Sequence, residues 1–409
     1  MSRLDELIQE KCPNGVNYKT VSDVATISRG RVMSKDYINE NQGEYPVYSS
    51  QTENNGEFGC ISTYDFDGEY LTWTTDGANA GSVFYRYGKF SVTNVCGLIK
   101  VSHDIMLTRF LYFVLSAEAK KYVSSGMGNP KLMSNVMAKV KIPVPPLEVQ
   151  SEIVRILDNF TELTAELTAE LTAELTARKK QYEHYRNKLF SFNVLNCAAV
   201  EHSLNNIIVM PLGEIGELVR GNGLQKKDLI NNGVPAIHYG QIYTYYGVYT
   251  DKTISFVSSQ TAMKLRKVIY GDVIITNTSE NIEDVGKAVT YLVKEQGVTG
   301  GHATIFKPSE KILGKYLTYY TQTDNFARQK RIYAKGTKVI DLSTSDLAKI
   351  KIPVPSIEEQ RRIVSILDKF DMLTTSISEG LPKEIELRRK QYEYYRNQLL
   401  SFPDNKATA

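Results

Sequence analysis

The side chains of this sequence that could carry catalysis are scattered. Five histidines stand at 103, 184, 202, 238 and 302, with no H-x-x-x-H spacing to hold a metal on one helix face. Four cysteines, Cys12, Cys60, Cys96 and Cys197, form no C-x-x-C pair, so neither a zinc site nor a disulfide framework is suggested and reduced thiols are the plain reading. There is no G-x-x-x-x-G-K-[ST] phosphate loop and no G-x-S-x-G nucleophile turn. The G-x-G segments at 126–128 and 221–223 lack the trailing glycine and leading parallel strand of a dinucleotide site. The Asn/Asp-Pro-Pro-aromatic segment of amino-methyltransferases is missing, since Pro145-Pro146 lies between Val144 and Leu147. His302 follows a glycine pair and could approach a ligand, but a surface or structural role is the expectation. Pairs such as Glu283-Asp284 read as solvated. The chain reads as a binder, with no metal site of its own.

Recognition chemistry is better represented. Basic residues gather in segments that occur in both halves: Arg29, Arg31, Lys120, Lys121 and Lys131, then Arg220, Lys226, Lys227, Arg328, Lys330, Arg331, Lys335 and Lys338. Such side chains bind phosphate and make affinity salt-dependent. Polar and aromatic residues suited to base edges stand beside them: Tyr48, Ser49, Ser50 and Gln51, then Thr74, Thr75 and Asp76. The second half offers His238, Tyr239, Gln241, Tyr243, Tyr245 and Tyr246. The net charge is only +3, so any basic surface must be local. With 42% hydrophobic and 23% charged residues the chain can bury ordinary cores, and 409 residues suggest two to three domains. No apolar run approaches the ~20 residues that cross a bilayer, and the charged N-terminus is unlike a signal peptide. No membrane association and a cytoplasmic location are the expectations.

The elements that must position these residues are duplicated. KIPVPPLEVQSEIVRILDNF (141–160) returns as KIPVPSIEEQRRIVSILDKF (351–370), and RKKQYEHYRNKLFSF (178–192) returns as RRKQYEYYRNQLLSF (388–402). Both pairs are 210 positions apart (351 − 141 and 388 − 178), whereas TVSDVATISRG (20–30) and PLGEIGELVRG (211–221) are 191 apart. The second globular region is thus longer by 19 (210 − 191). Two copies of one module are implied, not a solenoid. Residues 147–192 read as one helix: LTAELTAELTAELTA (163–177) is built of strong helix formers without Gly or Pro. Its leucines recur every four residues, so they drift by about 40° each and do not hold one face. In the second copy Gly380-Leu381-Pro382 replaces the tandem and should kink or break the helix.

The expected fold is α+β: two globular mixed β-rich domains separated by two long antiparallel helices that form an intramolecular coiled coil with pseudo-twofold symmetry. Pairing between chains is the alternative. Ile153, Ile156, Leu157 and Phe160, and their copies Ile363, Ile366, Leu367 and Phe370, supply the helix-packing stripes. Domain boundaries are expected at 1–146 (first recognition domain), 147–195 (central spacer), 196–356 (second recognition domain) and 357–409 (C-terminal spacer). Strands are expected in YPVYSS, GEYLTWTT, GSVFYRYG, FSVTNVCGLIKV, VPAIHYGQIYTYYGVYT and GDVIITNTS, and single helices over 108–125 and 315–334. The duplicated tails place Arg178, Tyr182, Tyr185 and Arg186, matched by Arg388, Tyr392, Tyr395 and Arg396, at helical spacing. They either close the helix pair or form two equivalent docking faces.

The two IPVP-containing segments, the two R-x-K-Q-Y-E-x-Y-R-N tails and the LTAE tandem together resemble the specificity subunit of type I restriction–modification systems, most closely the type IC-like branch with TAEL spacer repeats. The resemblance covers essentially the whole chain. It implies that two target-recognition domains each read one half of a split, asymmetric double-stranded DNA site. It also implies that the helices hold two methylation subunits, and that restriction subunits join in the full complex. The resemblance places S-adenosylmethionine, ATP and magnesium with those partners and no cofactor in this chain. The rival expectations are a stand-alone methyltransferase or nuclease with an unrecognised site, and a coiled-coil scaffold with no DNA role.

Overall fold

The computed structural model describes residues 2–102, 104–124, 128–191, 195, 207–375 and 380–405. Contacts divide the chain into two compact units, Met1–Glu170 with Ile385–Ala409, and Leu171–Glu384. One uninterrupted helix, Leu147–Leu189, contributes to both, as the LTAE composition requires. Phe192, where the sequence placed its end, lies outside the described residues, as do Gly126, Met127 and Cys197. The leucine drift is visible: Leu163 is 60% exposed and Leu171 only 9%.

In the first unit a six-stranded sheet runs in the order Ala25–Arg29, Cys96–Val101, Phe66–Thr74, Val83–Val92, Gln42–Tyr48, Glu57–Ile61. The helix Thr108–Glu118 packs on it, followed by a short 3-10 turn, Ala119–Tyr122. The second unit repeats the first five positions: Gly216–Arg220, Ala303–Pro308, Val273–Thr276, Ala288–Tyr291, Tyr249–Thr250. In both sheets the fourth and fifth strands pair in parallel. The second unit adds a four-stranded sheet, Ser255–Val257, Val234–Ile237, Gly297–Thr299 and Arg266–Val268, into which its extra residues go. Each unit also has a two-stranded ladder to its IPVP segment, Asn17–Thr20 with Lys141–Val144 and Ile208–Pro211 with Lys351–Val354, in matching register.

Three expectations need correction. Residues 238–248 are not one strand: His238 and Gln241 cap a helix, Tyr239–Thr244. The helix expected over 315–334 is two, Gly314–Tyr320 and Asp324–Tyr333, because the Thr323 hydroxyl accepts from the Phe326 N–H and starts a new helix. The stripes on the spacers serve their heads first. Ile153 and Leu157 are buried in the first unit's core, Ile363 and Leu367 in the second's. Phe160 and Phe370 meet a second spacer helix, at Tyr395 and Tyr182 with ring distances of 6.2 Å. In the first unit Thr161 also meets the Tyr392 hydroxyl at 2.9 Å, so 160–161 and 392–395 run antiparallel. The C-terminal spacer is broken as Pro382 implied. Helices Ile357–Thr375 and Leu381–Leu399 are separate, and Pro382 sits in a first turn, where a missing N–H costs nothing. Residues 376–379 between them lie outside the described residues.

One joint is copied atom for atom. Gln150 is buried at the start of the first spacer; it accepts from the Leu107 N–H (2.8 Å) and donates to the carbonyls of Ile105 (2.8 Å) and Pro145 (2.7 Å). Gln360 accepts from the Leu313 N–H (2.9 Å) and donates to Lys311 (2.8 Å) and Pro355 (2.9 Å). Each glutamine thus serves three backbone groups that burial would otherwise leave unpaired. A basic residue two positions on from that N–H reaches the spacer in each unit: Arg109 to Asp158 (2.7 Å) and Lys315 to Asp368 (2.6 Å).

Candidate nucleic-acid interface

In the first unit the predicted recognition segments converge. Ser49 meets Thr93 at 2.9 Å, the Thr75 N–H donates to Ser50 (3.3 Å), and Asp76 bridges the backbone of Lys131. Arg31 bridges Thr93 and pairs with Asp65 at 3.0 Å; Arg29 donates to Ser134 at 3.1 Å, beside Lys131. The fork of Arg86 lies 3.6 Å from the Tyr48 ring centre and donates to the Asn55 carbonyl (2.8 Å), holding the 53–56 turn. Asn54 and Asn55 adopt left-handed backbone there, with φ of 48° and 54°.

The roles within this group are unequal. Thr74 and Thr75 are 1% and 2% exposed, and their hydroxyls are spent on the carbonyls of Asn79 and Val95. They hold the loop and cannot reach a base, which corrects their placement as readers. Ser50 and Gln51 likewise bond to the carbonyls of Val95 and Glu57. Arg29, Arg31 and Lys131 are exposed. So are Asn54, Asn55, Asn79 and Asn94, amides the sequence reading passed over. The Asn-Asn-Gly turn was the available signal, and an amide can pair with the adenine edge.

The second unit gathers a different set. Arg220 donates to the Gly301 carbonyl (3.1 Å) and lies 3.6 Å from Asp341; Lys335 bridges the Asp341 backbone and approaches Asp346 at 3.8 Å. Lys226, Lys227, Lys335 and Lys338 are exposed. His238, Tyr239, Gln241 and Tyr243 lie on or beside one short helix; Gln241 bonds to Ser255, and Tyr243 donates to the Thr278 carbonyl. Tyr239 touches both His238 (4.5 Å) and His302 (4.8 Å), with its ring tilted by about 40° to each. Burial first, then the charges of His302 and Lys226, hold the His238 imidazole below its ordinary pKa. Arg331 lies 3.7 Å from Glu283, on the rim of a cavity of about 580 Å³ that Tyr243 also lines. Tyr246 accepts from the Ile254 N–H at 3.1 Å, while Tyr245 is exposed.

Lys330 is corrected outright. It is buried, donates to the carbonyls of Glu283 (2.9 Å) and Val285 (2.7 Å), and burial lowers its pKa to about 8. It braces the 281–286 turn from within and does not meet phosphate. Lys121 is tied to Glu118 at 2.6 Å.

The duplicated tails divide their work. Tyr182 is buried against Phe370, with Arg186 over its ring at 5.1 Å, and burial pushes its pKa up to about 12. Tyr392 spends its hydroxyl on Thr161, with Arg396 5.9 Å over its ring. These two tyrosines close helix pairs. Tyr185 and Tyr395, at 39% and 42% exposure, remain accessible beside Arg178 and Arg388, which bond to Gln181 (3.0 Å) and Gln391 (3.3 Å). In the first unit Phe160, Leu163, Leu167, Tyr392 and Tyr395 line a groove of about 220 Å³. Among the described residues no group of three His, Cys, Asp or Glu could hold a metal, and no helix is long and apolar enough to cross a membrane. Cys12, Cys60 and Cys96 are free.

Two copies of this plan match the type I restriction modification DNA specificity domain, over residues 13–177 and 206–387. The chain belongs to the type I restriction–modification specificity family. Within that family, a putative type I specificity subunit of Mycoplasma pneumoniae is 31% identical over 404 residues, which is 94% of this chain and 97% of that protein. The specificity subunit of the MpnII type I restriction enzyme from the same organism is 48% identical over 172 residues, 42% of this chain and 52% of that one. A solved chain from a type I restriction–modification system shares the fold, with a TM-score of 0.67 at 14% identity over 94% of this chain and 97% of that chain. In this family's terms, the two sheet-based heads are the target-recognition domains and the long helices the spacers between them.

Proposed function

We propose that each head reads one half of a split, asymmetric double-stranded DNA site, and that the spacers set the gap while docking two methylation subunits. The observation that carries this reading is a frame repeated down to the Gln150 and Gln360 hydrogen bonds, holding loop clusters that share almost no chemistry. Exposed arginines and lysines meet phosphate, and loop amides, imidazoles and tyrosines meet base edges. Tyr185 with Arg178, and Tyr395 with Arg388, are the accessible duplicated positions for two copies of one partner. Restriction subunits join the full assembly in the cytoplasm. S-adenosylmethionine, ATP and magnesium are used by those partners, and this chain performs no catalysis.

Genome-wide mapping of methylated adenines, in cells carrying this chain with its methylation partner, tests the reading. A two-part motif with unlike halves is expected, and the purified chain alone should modify no DNA supplied with S-adenosylmethionine. Modification by the chain alone would favour the stand-alone methyltransferase. The gap has its own test, because residues 163–177 lie in one helix. Deleting one LTAE unit shortens the helix by about 6 Å and turns it by about 40°. A base pair advances about 3.4 Å and turns about 35°. The gap should shrink by one base pair; an unchanged gap removes the helix as the ruler.

A further inference from the structure

We propose that His302, with His238 on the far side of Tyr239, is a DNA-contacting imidazole of the second head, presenting a ring N–H to a hydrogen-bond acceptor on a base edge or a phosphate. The inference rests on the DNA-reading assignment above and extends it to a residue that sequence reasoning left as structural.

His302 is exposed on the turn between the strands Gly297–Thr299 and Ala303–Pro308, where the two sheets of this head join. That turn is clamped. The Asn277 N–H donates to the His302 carbonyl at 2.8 Å, and Arg220 holds the Gly301 carbonyl at 3.1 Å. A side chain on Gly221 would come within 2.1 Å of the Gly300 carbonyl oxygen, so the backbones there are in direct contact. The imidazole is oriented as well as displayed: its Nδ1 lies 2.9 Å from the Thr278 hydroxyl, and in the tautomer where that hydroxyl donates to Nδ1 the ring proton sits on Nε2, facing a ligand. In His238, Nδ1 accepts from the Gly240 N–H at 3.2 Å, so in the neutral ring the proton sits on Nε2 as a donor. Tyr239 keeps the two rings a fixed distance apart, touching both.

An Nε2–H donor selects an acceptor. Guanine offers O6 and N7 as acceptors in the major groove. A phosphodiester oxygen offers the same chemistry without sequence information. The corresponding turn of the first head carries the exposed amide Asn94 and no imidazole, so this device belongs to one half-site only.

The test uses the full chain with its methylation partner and a duplex carrying the mapped site. His302→Ala should lower affinity about tenfold. If the acceptor is guanine, the methylation motif relaxes at one G·C position of the second half, and 7-deazaguanine there mimics the mutation in the unmodified protein. If it is phosphate, the motif stays intact, the dependence on salt becomes shallower, and a methylphosphonate at one position mimics the mutation. His302→Gln, which keeps an N–H donor, should recover part of the loss in either case. Unchanged affinity and motif in His302→Ala, or relaxation confined to the first half-site, overturns the proposal. Absence of any split methylated site with the unmodified chain would instead sink the DNA-reading assignment beneath it.

Discussion

By strand register Trp73 matches Ile275 and Asn277 matches Thr75, yet Trp73 and Asn277, two positions apart in the shared frame, serve the same backbone atom by different means. The Trp73 indole N–H donates to the Leu132 carbonyl at 2.9 Å; the Asn277 amide donates to the Leu342 carbonyl at 2.6 Å, 210 positions on. Around that shared anchor the cores diverge. In the first head the indole lies over Gly97, where a Cβ would fall within about 2.3 Å of the ring, so the glycine is required by the tryptophan. In the second head Thr304 occupies the matching place and bonds to Asn277 (2.9 Å) and Thr344 (2.8 Å). The joint to the spacer does the opposite: both copies use glutamine with the same three backbone partners. The contrast teaches that this architecture holds constant what fixes a head to its helix and lets the packing beneath the reading loops change.

The largest break in the comparison should come from Trp73→Ala. Removing a fully buried indole and its hydrogen bond costs about 4 kcal/mol. Hydrogen exchange should show the first unit opening while the second stays protected, with discrimination lost at one half-site only. Next are Gln150→Leu and Gln360→Leu. Each leaves one N–H and two carbonyls buried without partners, for about 3 kcal/mol apiece. Denaturant melts should give equal losses, and a twofold disparity would mean the joints are not equivalent in energy. Asp158→Asn and Asp368→Asn should differ in a graded way. Asp158 holds Arg109 alone in a partly exposed pair, worth about 1 kcal/mol. Asp368 also accepts from the Tyr319 hydroxyl at 2.6 Å, so its loss should approach about 2 kcal/mol.

The frame was legible in the sequence because repetition is a signal that needs no geometry. The long helix followed from composition, and its break near Pro382 from one residue. The reading surface was only half legible. Residues 49–51, 74–76, 93–95 and 131 are far apart in sequence and meet because the strand order brings their turns to one place. Polarity alone could not separate Thr75, which holds a carbonyl, from Asn94, which faces water. The helix at Tyr239–Thr244 was hidden by its aromatic content, which favours strands, and by a histidine cap outside the usual capping set. Lys330 resembled its basic neighbours in sequence, and only its two carbonyl partners mark it as internal.

Exchange of one head tests the central claim most directly. The second head, from the strand Ile208–Pro211 to the strand Lys351–Val354, would be replaced by the equivalent segment of another family member with a different methylation motif. Adenine methylation is then mapped genome-wide with the same methylation partner. The predicted result is a hybrid motif in which one half changes to the donor's sequence while the other half and the gap stay as they were. A motif altered in both halves, or a gap that moves although both spacers are untouched, would contradict two independent readers on a common frame.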